Sequence, residues 1–466
     1  MAEIRDSENL QWVEGRCLSY SGTMAYGLWQ SIIRALLKIS EDTPPAISRY
    51  ALANPMRNLE AANFDIYYAC LSKLLGIPLN AESENLMTHM DAENVKNTTF
   101  VAIEWFLKTS AQQSPLIIVC EDLHWADPTS LALLKRVLYL TEHSPLLFIC
   151  VFRPERTHGC WQIRETAQRV YPHRHIDITL APLTTTDSEK LFINLLLSLP
   201  GPDERQTVIG LPESLKPQIL ERGEGNPFFV EEILRTLIRS GVIICDIVTC
   251  QWQTPREVES VSIPESLYAV LRSRIDQLPK NTRSILELAS VIGRIFSYTL
   301  LADIAEKQSL DEHLVILLRE QMIRERTRLP EAEYIFQHQL TLEAVYGGLL
   351  HRVRRVLHRR VAEAIERLYP DRIEEQLGLL AYHWEQAGDT IQAINYLRRA
   401  GVKAAAQYAN DEAVDYLSRA LDLLPSTDMH GRFELLLTRE RTYNLLGDRE
   451  VQMRDLDALQ KLADQL

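Results

Sequence analysis

A short apolar run that ends in two acids constrains the fold of this 466-residue chain more than any other feature. Residues 116–120, Leu-Ile-Ile-Val-Cys, are uncharged and β-branched in part, and Glu121 and Asp122 follow directly. Such a run is typical of a strand buried on both faces of a parallel sheet. In open α/β sheets ligands bind beyond the carboxyl ends of the strands, so both carboxylates are predicted to lie at a ligand-binding edge.

The chemistry available at this edge depends on the residues around the two acids. One carboxylate can hold Mg²⁺, usually through water, and a second can orient an attacking water in phosphoryl transfer. Two acids can equally mark the solvated end of a strand. Asp127 and Pro128 are typical of the start of a helix, so Asp127 is expected to act first as its N-cap. His124 has no such local role and lies in the strand-to-helix loop, where α/β proteins place their chemistry.

Length and composition bound the class of protein. A chain of 466 residues with 46% hydrophobic content accommodates two to four domains with ordinary cores, and no segment approaches the roughly 18 apolar residues of a membrane span. The net charge of −13 argues against a general nucleic-acid or anionic-membrane surface, and the basic segment 351–360 is more typical of a solvated helix face. Seven scattered cysteines and a polar N-terminus predict a cytoplasmic location.

Apolar periodicity predicts the order of the elements in the first half of the chain. Strand patterns occur at 10–20, 116–120, 145–155 and 174–183, and helical patterns fill 27–108 and the segment after 184. Strands and helices that alternate at this spacing predict a parallel, three-layer α/β sheet.

Helical patterns dominate from residue 211 onward. Residues 241–253 predict a hairpin, and two helices at 262–293 followed by two strands at 322–338 predict a winged helix, with DNA recognition the minority interpretation because the surroundings are acidic. In the tail, 393–400 and 413–420 share a pattern of Ala, Tyr-Leu, Arg and Ala. Small residues at these spacings predict closely packed, tetratricopeptide-like helix pairs, although the offset of the two copies is 20 residues rather than 34.

The sequence Cys-Glu-Asp-Leu-His-Trp-Ala-Asp-Pro-Thr-Ser, residues 120–130, resembles the Walker B region of STAND ATPases, the multidomain signal-transduction NTPases. The most similar subgroup is the one of large LuxR-type regulators and of proteins that carry class III adenylate cyclase domains. The resemblance implies that Glu121 binds Mg²⁺ and that Asp122 activates water. Many members of the family have Asp at the position of Glu121.

Further segments resemble the same family in the same order. The segment 12–20 is similar to its second strand, with Arg16, and 148–155 resembles its sensor strand, with Arg153 placed to sense a γ-phosphate. The segment 225–234 resembles the helical-lid motif, whose proline lies against adenine. The resemblance therefore implies catalytic roles for Glu121, Asp122 and Arg153, and nucleotide-binding roles for Arg16, His124, Asp127, Gly225, Asn226, Pro227 and His338.

Each of these assignments has a plainer alternative. Arg153 is also explained as an exposed residue at a strand end, Gly225 and Pro227 as an ordinary loop before a helix, and His338 as a structural histidine. Taken singly these alternatives stand, but four motifs in the family's order favour the family.

One part of the family's site is missing from the sequence. The chain contains no Gly-Lys dipeptide and hence no G-x-x-x-x-G-K-[ST] loop, whose backbone N–H groups and lysine hold the phosphates. In the family this loop and its strand precede the strand of Arg16, with the P-loop strand in the middle of the sheet. We therefore expect a truncated core without the first strand and Walker A, as part of a longer parent, with a P-loop-less paralogue as the alternative.

The sequence thus predicts an α/β three-layer, P-loop-NTPase-like core followed by an all-α lid, a winged helix and α-helical tetratricopeptide-like repeats. The expected boundaries are 1–205 for the core, 206–262 for the lid and hairpin, 263–350 for the winged helix, 351–372 for a connecting helix and 373–466 for the repeats.

The expected function is the regulatory segment of a STAND-type ATPase, a nucleotide-dependent switch coupled to a helical-repeat sensor. The complete family member uses ATP and Mg²⁺, whereas this chain is expected to bind them weakly or not at all. Protein partners, including a second copy of the chain, are expected at the repeats, and nucleic acid and membrane are not. A nucleotide-independent interaction scaffold and an acid/base enzyme acting on another substrate remain as alternatives.

Overall fold

The computed structural model describes residues 10–17, 25–40, 43–57, 61–198, 215–245, 252–254, 266–305, 309–327 and 331–465. These residues form two compact units. The first unit comprises Met1–Ile176 together with Arg354–Leu466, and the second comprises Asp177–Val353. Across the described residues, no helix has both the length and the apolarity that a membrane crossing requires.

A parallel sheet of three strands organises the first unit. Strands β1 (Gln11–Arg16), β2 (Leu116–Glu121) and β3 (Leu146–Cys150) pair in that order, so β2 is central. Arg16 is opposite Glu121 in the first pairing, and Cys120 is opposite Cys150 in the second. The side chains of Ile118 and Cys120 are fully buried, as expected for a strand covered on both faces.

Helices supply the rest of the core around this sheet. They are α1 (Gly27–Leu37), α2 (Pro45–Ala53), α3 (Ala61–Leu75), α4 (Ala81–Thr88), α5 (Ala92–Gln113), α6 (Pro128–Val137), α7 (Leu140–His143) and α8 (Trp161–Val170). Helix α1 lies very close to β1, because a Cβ atom added to Gly15 would come within 2.6 Å of Ile32. On the same helix, the buried Trp29 donates its indole N–H to the carbonyl of Ser130 at 3.0 Å.

The predicted strand at 174–183 is wrong. Residues 175–184 are described and contain no strand, and the side chains of Ile176, Ile178 and Leu180 are 83%, 77% and 90% exposed. A strand forms only where a neighbour supplies ladder hydrogen bonds, and none of the described strands pairs with this segment. The apolar alternation is present in the sequence, but pairing, which the pattern does not reveal, decides the outcome.

The second unit is mainly helical, with two small antiparallel sheets. Its helices are α9 (Thr185–Ser198), α10 (Leu215–Gly223), α11 (Pro227–Arg239), α12 (Leu267–Asp276), α13 (Lys280–Ile292), α14 (Tyr298–Ala305), α15 (Leu310–Arg319) and α16 (Gln339–Gly348). Its strands are β4 (Ile244–Cys245), β5 (Trp252–Gln253), β6 (Ile295–Ser297), β7 (Ile323–Thr327) and β8 (Glu333–Phe336).

The strand pairs of this unit agree with the hairpin and the two strands that the sequence predicts. The antiparallel β4–β5 pair is the predicted hairpin, although residues 246–251 between its strands lie outside the described residues. The two strands predicted at 322–338 are β7 and β8, and β6 joins them on the free side of β8. Gly241 marks the tight turn before the hairpin, with a φ of +73° that favours glycine.

The tail consists of helices that pack on one another in chain order. They are α17 (His351–Leu368), α18 (Leu377–Ala387), α19 (Thr390–Ala406), α20 (Asn410–Leu423), α21 (Met429–Leu446) and α22 (Arg449–Ala463). Gly-Asp pairs form the turns at two of the junctions, because Gly388 and Gly447 adopt left-handed conformations and Asp389 and Asp448 cap the next helix. The four alanines of the two similar segments are buried, namely Ala393, Ala400, Ala413 and Ala420.

Replacing Ala413 by Phe should destabilise the tail. Ala413 is fully buried, so a ring added there must displace its neighbours, and overpacking of this kind costs about 1–3 kcal/mol. The matched control is Ala406→Phe in α19, because Ala406 is exposed. Urea unfolding followed by circular dichroism measures both variants, and equal midpoints for the two would contradict the packing of α20.

Two histidines form a buried pair between α17 and α18. His358 and His383 are fully buried, with their Nδ1 atoms 2.9 Å apart, so one ring donates and the other accepts. Burial lowers the pKa of His358 to about 4 and lowers that of His383 well below its ordinary value. The pair is therefore neutral at pH 7, as a ring-to-ring hydrogen bond requires.

Acidification should destabilise the chain through this pair. Histidines of the unfolded chain protonate near their ordinary pKa of 6.5, whereas the folded pair resists protonation. Stability is therefore unaffected above that pKa and falls as the pH drops from 6.5 toward 4, by up to about 2 kcal/mol per histidine at pH 5. Thermal melts at pH 7.5, 6 and 5 should show a smaller loss for His358→Asn/His383→Asn than for the native chain. Substitution of the exposed His89 by Gln should leave the native pH dependence intact.

Candidate functional site

One arginine joins the two acids that follow β2. The parallel register places Arg16 opposite Glu121, and the guanidinium Nη2 lies 3.1 Å from the Glu121 Oε2. The Nε of the same side chain lies 3.7 Å from the Asp122 Oδ2. All three side chains are partly exposed, at 22%, 32% and 21%. Solvent screens such pairs, so they contribute at most about 1 kcal/mol each to stability, but the three predicted residues are brought together.

Asp122 turns the chain away from the sheet in a strained conformation. Its backbone is left-handed, with φ 55° and ψ 36°, and a 3₁₀ turn over Leu123–Trp125 follows. The turn is fixed by two backbone bonds, from the N–H of Leu123 to the carbonyl of Val151 at 2.9 Å and from Trp125 to Asp122 at 2.9 Å. Left-handed conformations of residues other than glycine are uncommon and occur preferentially at functional sites, with Asp and Asn the most tolerant.

His124 lies in this turn with both ring nitrogens unpartnered. Its side chain is buried, and neither Nδ1 nor Nε2 has a hydrogen-bond partner. The ring packs on Trp125 at 4.5 Å and on His158 at 5.6 Å, measured between centroids. Burial and, next, the charge of Arg153 lower the pKa of His124, so the imidazole is neutral at pH 7. A buried polar group without a partner is costly, which marks this ring as available to a further group.

Arg153 lies beside the same turn, although not at the end of its strand. The sequence places it at the strand end, whereas β3 ends at Cys150. Val151 still donates to the carbonyl of Cys120 and accepts from the N–H of Leu123, each at 2.9 Å, but the chain turns at Asp122 and the regular ladder ends there. The Arg153 guanidinium carbon lies 5.8 Å from the centre of the Trp125 ring. Arg153 therefore reaches the group of residues around Glu121 through Trp125.

Asp127 acts as the predicted helix cap. Its Oδ1 accepts from the N–H of Ser130 at 2.7 Å and from that of Tyr26 at 3.0 Å. The side chain is 2% exposed. Burial, together with the charge of Glu412, raises the pKa of Asp127 to about 7. Through these two bonds Asp127 positions α6 and the turn before it.

The remaining predicted site residues lie in the second unit. Asn226 caps α11 by accepting from Phe228 at 3.0 Å, and Pro227 occupies the first position of that helix. Gly225 has a φ of +69°, and a Cβ there would lie 2.6 Å from the carbonyl oxygen of Leu183. Only glycine fits this approach without a shift.

His338 is in contact with the segment around Asn226. Its ring lies 4.0 Å from the ring of Phe228, and burial lowers the pKa of His338. The structure thus joins His338 to the start of α11, a neighbourhood that the sequence alone did not predict.

The donors present fit a magnesium ion better than they fit a triphosphate. Mg²⁺ is held by one or two carboxylates with water and substrate phosphate completing its shell, and Glu121 and Asp122 supply the carboxylates. Among the described residues there is no cluster of three or more His, Cys, Asp or Glu that could hold a metal by itself. Bound Mg²⁺ would offset phosphate charge. The sequence contains no Gly-Lys dipeptide, so it lacks a G-x-x-x-x-G-K-[ST] loop that would hold the phosphates.

Two residues near the site were missed from the sequence. His158 contacts His124 and lies 3.1 Å from Glu155, within a loop that has no motif. Glu412, in α20, accepts from the N–H and the hydroxyl of Thr129, each at 3.0 Å. A contact across 283 residues leaves no local signal, so only the structure could find it.

The comparison with protein families finds a match to the part of the chain that contains β1 and β2. Residues 1–149 match the profile of the AAA ATPase domain. This range contains β1, β2, Arg16, Glu121 and Asp122. The resemblance to an AAA-type ATPase that the sequence predicts is confirmed for this part of the chain.

Similar proteins include signalling proteins. An uncharacterized protein of Rhizobium meliloti is 26% identical over 361 residues, which cover 74% of this chain and 31% of that protein. The peroxide stress-activated histidine kinase mak3 of Schizosaccharomyces pombe is 23% identical over 340 residues, covering 70% of this chain and 14% of the kinase. The chain thus spans less than a third of the length of these relatives.

A solved structure with similarity to the chain is the STAND protein with a tetratricopeptide repeat sensor from Pyrococcus horikoshii. The sequence identity is 11%, and the match covers 100% of this chain and 63% of that protein. The TM-score is 0.34, so this likeness carries no weight for the fold.

The backbone of Asp122 can be tested by substitution. Asp122→Val should destabilise the first unit by roughly 1–3 kcal/mol relative to Asp122→Asn, because a β-branched residue tolerates a left-handed backbone poorly and Asn tolerates it well. Both variants remove the same charge beside Arg16, so their difference isolates the backbone. Urea unfolding followed by tryptophan fluorescence gives the difference. Identical midpoints would argue against the strained turn.

Proposed function

We propose that the chain is the regulatory segment of a STAND-type signal-transduction ATPase, in which nucleotide state biases a switch that is coupled to helical repeats. The observation that carries the proposal is the arrangement of Arg16, Glu121 and Asp122 at the carboxyl edge of parallel strands, within residues that match an AAA ATPase domain. Ligands of open α/β sheets bind at this edge.

Five candidate site residues of the first unit have proposed roles in binding the nucleotide and its metal ion. Glu121 and Asp122 hold Mg²⁺, and Asp122 also orients water toward a terminal phosphate. Arg16 keeps the two like charges together when no cation is bound, since it lies 3.1 Å from one carboxylate and 3.7 Å from the other. Arg153 is the second cation near this edge and senses the γ-phosphate. His124 offers an unpartnered neutral ring nitrogen to the same ligand.

The second unit is proposed to contribute the purine pocket. Gly225, Asn226 and Pro227 form a rigid helix start, and the ring of His338 lies 4.0 Å from Phe228 directly after it. A proline and two aromatic rings are suitable partners for a flat base.

The repeats are the proposed partner-binding region. A cleft of about 640 Å³ lies between α19 and α21, and its lining combines an apolar floor with charges of both signs, as in Val402, Leu435, Arg398, Lys403, Glu374 and Glu434. Surfaces of this mixed type suit protein segments. A second copy of the chain is one such partner.

The proposed domain boundaries remain those expected from the sequence. They are 1–205 for the ATPase-like core, 206–262 for the lid and hairpin, 263–350 for the winged helix, 351–372 for the connecting helix and 373–466 for the repeats. The similar protein of Schizosaccharomyces pombe is named a peroxide stress-activated histidine kinase, which supports a place in signalling. Linkage of the segment to a cyclase or to a LuxR-type output belongs to the whole parent and is part of the proposal.

A nucleotide-independent scaffold is the second candidate. It is favoured by the lack of a Gly-Lys dipeptide in the sequence and by Arg16, whose guanidinium already binds the carboxylates that a metal would need. The sequence encoded upstream of Met1 separates the two candidates. An in-frame G-x-x-x-x-G-K-[ST] segment supports the ATPase, and its absence favours the scaffold.

The 466-residue polypeptide by itself should bind Mg·ATP more weakly than about 1 mM and release no phosphate. Phosphoryl transfer depends on positioning and charge stabilisation, and this polypeptide has acids and arginines but no phosphate-binding loop. Calorimetric titration and a phosphate-release assay measure both quantities.

The control for this titration is Asp122→Ala, which removes a proposed Mg²⁺ ligand. Native chain and variant should be equally inert. Micromolar binding by the native chain that disappears in Asp122→Ala would show that the phosphates are held without a P-loop. A polypeptide extended by an encoded P-loop segment should bind in the micromolar range and lose that binding in the same variant.

A further inference from the structure

The start of α6 receives a carboxylate from the helical repeats. Glu412 lies in the first turn of α20, is 1% exposed, and accepts from both the backbone N–H and the hydroxyl of Thr129 at 3.0 Å. Asp127 caps the same helix start from within the core through Ser130. Two buried carboxylates from distant parts of the sequence therefore satisfy neighbouring N–H groups of one helix.

This helix start is connected to Asp122 by a short, hydrogen-bonded segment. The 3₁₀ turn Leu123–Trp125 is closed by a bond from the N–H of Ala126 to the carbonyl of Leu123 at 3.1 Å. Asp127 follows directly and is held by the N–H of Tyr26 at 3.0 Å. Few backbone dihedral angles between Asp122 and Thr129 are free to change. A displacement of Thr129 is therefore expected to move Asp122 as well.

A second contact accompanies Glu412. The Lys96 ammonium of α5 lies 5.4 Å from the centre of the Tyr408 ring, directly before α20. Tyr408 has a left-handed backbone with φ 57°. The start of α20 therefore contacts the core at two helices, α5 through Tyr408 and α6 through Glu412.

The contact between Glu412 and the start of α6 has an energetic cost, because it buries a second carboxyl group close to Asp127. Among the described residues neither Asp127 nor Glu412 forms a salt bridge, and each has been removed from water. Burial raises the pKa of both carboxyl groups, and the charge of Glu412 raises that of Asp127 further. The N-terminal dipole of α6 offsets part of this cost. A buried, repelling pair of acids favours separation as soon as another interaction of the repeats competes.

We infer that Glu412 is a positioning residue through which the helical repeats fix the loop of Glu121 and Asp122, so that movement of α20 away from Thr129 releases this loop. The importance of the loop for phosphate chemistry rests on the proposed function. The coupling itself does not, since it is a property of the chain without nucleotide.

Hydrogen exchange of the full chain without nucleotide tests the inference. Glu412→Ala should accelerate exchange in 121–131 roughly tenfold, and the increase should include Leu123 and Trp125, which do not contact Glu412. Glu412→Gln retains the acceptor for the Thr129 N–H and should exchange within about twofold of the native chain. Asp411→Ala is the matched control, because it removes an exposed acid from the same helix turn and should leave 121–131 unchanged.

Reciprocity provides a second arm of the test. Thr129→Val removes the hydroxyl donor from the core side, so exchange in 409–416 should rise if the two sites are coupled. This variant also answers the question if Glu412→Ala does not fold. Unchanged exchange at Leu123 and Trp125 in Glu412→Ala, an equal effect of Asp411→Ala, or an even rise across the whole chain would each overturn the inference. An inert result in the ATP titration would not affect it.

Discussion

The parallel pairing of β2 with a strand on each side is the constraint on which the candidate site depends. Register, rather than any side-chain contact, places Arg16 opposite Glu121 and Cys120 opposite Cys150. Because parallel strands end at one edge, the groups that follow them meet there. The left-handed backbone of Asp122 then turns the chain out of the sheet, so that the next residues pack against the turn after β3. A shift of one residue in the β1–β2 pairing would separate Arg16 from Glu121, and a shift in the β2–β3 pairing would separate Cys120 from Cys150.

The acidic side chains near this edge lie in two different environments. Outside, Arg16 joins Glu121 and Asp122 in partial contact with solvent, where water screens their repulsion. Inside, Asp127 and Glu412 face a helix start, and backbone N–H groups are their main compensation. Because they are partly exposed, Glu121 and Asp122 can exchange Arg16 for another cation at little cost. The buried carboxyl groups of Asp127 and Glu412 resist ionisation and depend on intact packing. The loop from Asp122 to Asp127 has one end in each environment. The helical repeats therefore contact one end of this loop, and the proposed ligand would contact the other.

Local chemistry explains what could be predicted from the sequence. The β2 strand, the Asp127 cap and the alanine pattern of the tail helices follow from residues within a few positions of each feature, and the structure agrees with them. Pairing and burial across long separations could not be predicted in this way. The segment 174–183 has the alternation of a strand but no described strand pairs with it, and Glu412 is an ordinary surface-type residue until α20 meets α6. The strand β3 ends at Cys150 rather than at Arg153 for the same reason, because the length of a strand depends on its partner and β2 ends at Glu121.

The exposed segment after α8 has a consequence for handling the protein. Ile176, Ile178 and Leu180 present their side chains to solvent, and Asp177 and Thr179 alternate with them along the chain. Extended chain that carries apolar side chains outside a sheet is a template for strand addition between molecules. Asp177 supplies the charge within this alternating stretch and acts as a gatekeeper against such addition. Salt screens this charge, so aggregation of the purified polypeptide should increase at high ionic strength, and buffers of low ionic strength favour monodisperse samples.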